Sequence, residues 1–183
     1  QLALEARALK SAGRLNDVLA LRRQAVDVAP ASASAHHNLG VALADLGQWS
    51  EAQQHFERAL TLGSQAPETH MMRGRCQQSR ALFDEAEKSF VQALEIRPHL
   101  YDAQRDLAQL RWMRTGDLDF SLSWLESALR DTPGDTRLLV LKAQILEYSG
   151  ELYASYSQLV TLTHERPGDA YIATAASQIS ALY

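Results

Sequence analysis

Apolar residues recur at steps of three and four along nearly the whole chain, with polar residues between them. Phe56, Ala59, Leu60 and Leu62 form one such run; Phe90, Ala93 and Ile96 form another. Steps of that size place the apolar side chains on one face of an α-helix.

The helical pattern is itself repeated. Gly40 and Gly74 stand 34 residues apart, and their neighbours fall into step. Leu39, Leu43, Gly47, Trp49, Ala52, Phe56, Ala59 and Leu62 are followed one period later by Arg73, Gln77, Ala81, Phe83, Ala86, Phe90, Ala93 and Ile96. Upstream, Gly13, Leu15, Val18, Ala25, Val28 and Pro30 keep the register. Downstream, Pro133-Gly134-Asp135 recurs as Pro167-Gly168-Asp169. The unit between Tyr101 and Asp135 is one residue longer, and the extra residue lies before Gly116. The units expected are 1–32, 33–66, 67–100, 101–135 and 136–169, with a terminal helix over 170–183. Two helices per unit and a final one make about eleven.

Small residues at fixed slots allow two antiparallel helices to approach closely, as at Gly40, Ala52 and Ala59. Gly47 suits the left-handed position that ends a helix. Asp135 and Asp169 stand where a side-chain oxygen caps the next helix. One helix pair is too small to bury its own apolar face, so neighbouring pairs must stack.

This arrangement resembles the tetratricopeptide repeat, and bacterial arrays of it in particular. Small residues occupy the eighth, twentieth and twenty-seventh slots, a glycine stands near the fifteenth and a proline near the thirty-second. Arg73 and Lys142 depart from the usual leucine, Leu162 from the third small residue and Ser64 from a proline. The resemblance implies an all-α fold: a right-handed α-α superhelix forming a single solenoid of helix-turn-helix repeats. It also implies a concave groove lined by the first helix of each unit.

Groove-facing slots in this family carry over to His37, Asn38, Met71, Arg75, Gln78, Arg105, Gln109, Trp112, Gln144 and Tyr148. Arginines offer forked donors to carboxylates, and glutamines can pair with a peptide backbone. An exposed Trp112 or Met71 would anchor a partner. The expected ligand is a protein or peptide, in particular an acidic or C-terminal segment meeting Arg75 and Arg105. The groove of the chaperone-tail binders, with lysine and asparagine at slots held here by His37 and Val41, is not matched. Nor is the asparagine ladder of certain glycosyltransferases, since Asn38 is followed by Met72 and Asp106.

The net charge of −4 argues against neutralising many phosphates, so no nucleic acid is expected. No apolar run approaches the roughly 18 residues that span a bilayer, so no membrane role is expected. Cys76 is the single cysteine, which excludes an internal disulfide and fits a reducing, cytoplasmic setting. The start at Gln1 without methionine reads as a fragment or a processed product.

Catalytic chemistry is not indicated. No phosphate-binding loop, dinucleotide glycine motif, zinc-protease or nucleophile-elbow motif occurs. His36 and His70 hold equivalent slots, and packing between helices suits them better than a metal without a third ligand. His55, His99 and His164 have no obvious partners. Cys76 reads as a buried small hydrophobe. No cofactor, metal or catalytic residue is assigned.

Two functions fit these features: an interaction scaffold with a peptide-binding groove, or a non-catalytic recruiting or oligomerising arm of a larger enzyme. An oxygenase using 2-oxoglutarate, a sulfotransferase or a glycosyltransferase would be such an enzyme. The last helix carries no charged residue after Asp169. It is expected to be covered by a following domain, a second helix or a second copy of the chain.

Overall fold

The computed structural model describes residues 2–116, 119–131 and 133–180, without the side chains of some helical positions. Eleven helices run through the described residues: α1 Leu2–Ser11, α2 Leu15–Val28, α3 Ala33–Asp45, α4 Trp49–Thr61, α5 Pro67–Ser79, α6 Phe83–Ile96, α7 Tyr101–Thr115, α8 Asp119–Asp131, α9 Thr136–Tyr148, α10 Leu152–Glu165 and α11 Ala170–Ser180. The chain divides into two compact units, residues 1–107 and 108–183.

In the first unit the helices pack in consecutive pairs, α1 with α2, α3 with α4 and α5 with α6. Ring against glycine sets the closeness of two of these pairs. A Cβ added at Gly40 would lie 2.8 Å from the Phe56 ring, and one at Gly74 only 2.7 Å from the Phe90 ring. Both rings are fully buried, as are Ala52, Ala59, Ala86 and Ala93. Each ring contributes roughly 1.5–3 kcal/mol by leaving water.

The turn inside each of these two pairs repeats the same two hydrogen bonds. After α3, Gly47 N–H donates to Ala44 O at 2.9 Å and Gln48 N–H to Leu43 O at 2.9 Å. After α5, Ala81 N–H donates to Gln78 O and Leu82 N–H to Gln77 O, both at 2.9 Å. This double bond satisfies the last carbonyls of the first helix and needs a left-handed residue at its centre. Gly47 takes it with φ 72°, whereas Ala81 is held there with φ 59°.

In the second unit Val140 and Ala143 of α9, Leu159 and Leu162 of α10, and Ile172 and Ala175 of α11 share one core. Asp135 and Asp169 both cap the helices that follow them. Asp135 accepts from Arg137 N–H at 2.8 Å, and Asp169 from Tyr171 N–H at 2.9 Å. The Arg166 guanidinium ties the two loops by donating to Gly134 O at 3.0 Å and to Thr136 Oγ1.

Candidate functional site

The expected groove residues of the first unit lie on its first helices, and the structure links those helices by side-chain bonds. Lys10 of α1 pairs with Asp45 of α3 at 2.5 Å. His37 Nδ1 of α3 shares a 2.9 Å hydrogen bond with Thr69 Oγ1 of α5, and Thr69 also bonds Ser64 Oγ at 3.1 Å. The His37 ring stands edge-on to Phe56, with centroids 5.6 Å apart. Burial holds the His37 pKa below 6.5, against the opposing pull of Glu68.

Arg75 and Arg105 come together around one carboxylate. Arg75 Nε of α5 donates to Asp106 Oδ2 of α7. Arg105 donates to Asp106 Oδ1 through Nε at 3.3 Å and Nη2 at 3.1 Å. Asp106 is buried. Asp102, with its side chain 58% exposed, sits on the outer side: Arg105 Nη1 is 3.2 Å away and Arg75 Nη2 is 4.0 Å away. The remaining nitrogen of Arg75, Nη1, meets the Met72 thioether at 3.8 Å. A carboxylate bonded by two guanidiniums locks both arginines in orientation.

This geometry revises two expectations. Arg75 and Arg105 are not two open forks; Asp106 already engages both. Met71 is no exposed anchor, because it is only 6% accessible. Its helix packs against α3, α4 and α6, which leaves that slot facing protein. Asn38 and Gln78 are half-buried on the same set of helices.

The other expected residues belong to the second unit. Gln109 and Trp112 are half-buried. Trp112 lies over the turn that follows α7, its Cζ3 3.9 Å from where a Gly116 side chain would start. Gln144 is half-buried, and its Oε1 is buried with no hydrogen-bond partner among the described residues. The Tyr148 side chain lies outside the described residues.

Sequence reasoning missed Asp106, noted only as a residue that breaks an asparagine ladder. The available signal was a carboxylate at the sixth slot of one unit following an arginine at the ninth slot of the unit before. It also left His55 without a partner. His36 Nδ1 and His55 Nδ1 face each other at 2.9 Å. Pro30 O can only accept, so His36 Nε2–H donates to it at 3.0 Å. The two rings are thus joined by one hydrogen bond through their Nδ1 atoms. The packing role expected of His36 thus carries a specific hydrogen bond. Among the described residues, no group of three His, Cys, Asp or Glu side chains could hold a metal ion. Cys76 is buried, and burial pushes its thiol up to about 11.

Tetratricopeptide repeat profiles match residues 31–99 and 69–136, together more than half of the chain. The chain belongs to the tetratricopeptide repeat family. Solved tetratricopeptide structures share its fold. PilW, a widely conserved type IV pilus biogenesis factor, superposes with a TM-score of 0.74 at 21% identity, over 94% of this chain and 80% of PilW. TTC0263, a thermophilic TPR protein in Thermus thermophilus, gives 0.73 at 16% identity, over 95% and 94%. YrrB, described as a TPR protein with an unusual peptide-binding site, gives 0.59 at 20% identity, over 94% and 88%. A comparison with curated proteins gives no match. This tetratricopeptide fold is one that supports protein–protein interaction. Among the described residues no helix is long and apolar enough to cross a membrane.

Proposed function

We propose that the first-helix face of the first unit binds an extended segment of a partner protein, with Arg75 reading a carboxylate on it. One observation carries this reading. Buried Asp106 grips Arg75 through Nε and leaves the Nη1–Nη2 end with no oxygen acceptor within hydrogen-bond distance among the described residues. An arginine fixed at one edge and open at the other is preorganised for a bidentate carboxylate.

His37, Asn38 and Gln78 on the same helices supply polar groups for the rest of the segment. Asp102 faces the same guanidinium end and competes with an incoming carboxylate. An acidic side chain or a free C-terminus is therefore the favoured ligand group. That YrrB is described as having a peptide-binding site supports a peptide ligand for this fold.

The test is fluorescence polarisation with a library of labelled acidic peptides, each compared with its C-terminal amide and with a neutralised version. Arg75→Gln should weaken binding by about 1.5–3 kcal/mol, roughly tenfold or more, the loss of one charged hydrogen-bond partner. Asp102→Asn should strengthen it, and Asp106→Asn should weaken it by freeing both arginines. Charge reversal of both arginines is a poor probe, because it would set four carboxylates together. Binding indifferent to Arg75→Gln and to peptide charge would overturn the reading.

A further inference from the structure

Two imidazoles face each other between α3 and α4, and the proposed peptide site uses neither. His36 Nδ1 and His55 Nδ1 are 2.9 Å apart. Their ring planes differ by 25°, and the centroids are 5.2 Å apart. A centroid separation that long, with so short a nitrogen contact, means that the rings meet edge to edge with nitrogen pointing at nitrogen. The far edge of His36 is anchored, because Nε2–H donates to Pro30 O at 3.0 Å. His36 is 8% accessible, whereas His55 is half-buried and reaches solvent.

Packing does not require this pair. One period on, the same two slots hold His70 and Ser89. Ser89 Oγ donates to Gln77 Oε1 at 2.6 Å and accepts from Arg73 Nε at 3.0 Å. His70 Nδ1 is buried with no hydrogen-bond partner among the described residues. The α5–α6 pair thus forms without a second imidazole.

We propose that His36 and His55 bind a divalent late first-row metal ion, Cu²⁺ most tightly, through their Nδ1 atoms. Two nitrogens at right angles on an ion, with bonds of about 2.0–2.1 Å, are themselves about 2.9 Å apart, the separation found here. Cu²⁺ favours ligands at right angles, and nitrogen sites hold it more strongly than Ni²⁺ or Zn²⁺. Each ring tilts so that its lone pair meets the ion beside the line joining the two nitrogens. A neutral imidazole that donates through Nε2 to a backbone carbonyl is the tautomer whose Nδ1 can take a metal. No third His, Cys, Asp or Glu joins the pair as a ligand among the described residues, so water fills the remaining positions from the open side of His55. Arg23 and Glu51, the charged side chains acting on His55, pair with each other at 3.1 Å and leave no net charge against the ion.

Isothermal titration calorimetry of the full chain, untagged and freed of metal by chelator, with CuCl₂, NiCl₂ and ZnCl₂ tests this. One Cu²⁺ per chain should bind, more tightly than Ni²⁺ or Zn²⁺. Affinity should fall at lower pH, as protons compete for the same lone pairs. His36→Gln and His55→Gln should each weaken Cu²⁺ binding by about tenfold or more, the least that loss of even a supporting contact costs a metal site. His70→Gln, at the matching slot without a facing imidazole, should leave it unchanged. Electron paramagnetic resonance of the Cu²⁺ form should show coupling to two imidazole nitrogens, and to one in His55→Gln. Cu²⁺ should raise the urea midpoint of the parent chain and have less effect on His55→Gln, whose half-buried position separates loss of binding from loss of folding. Absence of Cu²⁺ binding overturns the proposal. So does binding that His55→Gln leaves unchanged, or that His70→Gln weakens equally.

Discussion

At the residue scale the repeat is held in places by a side chain other than the favoured one. Ala81 takes the left-handed turn conformation that Gly13, Gly47 and Gly150 take in other units. A Cβ in that region is disfavoured by roughly 1–2 kcal/mol. Glycine recovers this strain but adds freedom to the unfolded chain, worth about 0.4–1 kcal/mol against folding. Ala81→Gly should therefore stabilise the protein by up to about 1.5 kcal/mol, read as a higher urea midpoint with unchanged slope. The histidines act in the other direction. Burial lowers the pKa of His37, His55 and His70 below 6.5; His36 and Arg23 lower His55 further while Glu51 opposes. A depressed histidine pKa means that the unfolded chain binds protons more readily than the folded one. Their contribution to stability is complete above about 6.5 and is lost as pH falls through the lowered folded values. Urea unfolding should show stability rising from about pH 5 to about pH 7.5, and His55→Gln should flatten part of that slope.

At the element scale, a helix pair is as close as its smallest residue permits. Gly74 sits under the Phe90 ring with room for no Cβ: the three nearest ring carbons would be 2.7, 2.8 and 3.1 Å away. In a free helix, Gly→Ala is stabilising by about 1 kcal/mol. Here overpacking against a fully buried, rigid ring opposes it by about 1–3 kcal/mol, and the packing loss should win. Gly74→Ala is expected to lower stability by up to about 2 kcal/mol in urea unfolding. Adding Phe90→Leu should make the alanine less harmful than it is in the parent chain. Additive effects of the two substitutions would show that the contact does not set the pair's spacing.

At the scale of the whole molecule, apolar burial is shared among many small interfaces, as expected of a repeat array. Cys76 reports on the first unit from inside. Its side chain is fully buried and its thiol is pushed up to about 11, so the thiolate is both scarce and inaccessible. Alkylation of native protein at neutral pH should be slower than that of unfolded chain by orders of magnitude, accelerating with urea as the first unit opens. Native labelling as fast as in the unfolded chain would contradict that burial.

The sequence by itself determined the elements. The 34-residue register placed the helices, the turn after each first helix, and the caps at Asp135 and Asp169. These features are local: three- and four-residue steps, a left-handed slot and an oxygen before a helix act over a single turn of chain. The register also named Gly40 as a point of close approach. Only the tertiary structure decided what the groove positions do. Slot arithmetic assigned Met71, Arg75 and Arg105 to an open face. Neighbouring helices instead cover Met71, and Asp106 engages both arginines across 31 and one residues of sequence. His36 and His55, 19 residues apart, likewise meet only because α3 and α4 pack antiparallel. Side-chain pairing between helices depends on which rows face each other and at what distance. A repeat pattern fixes the rows but is silent on which charge reaches which. The folded chain therefore decides which side of Arg75 remains for a ligand.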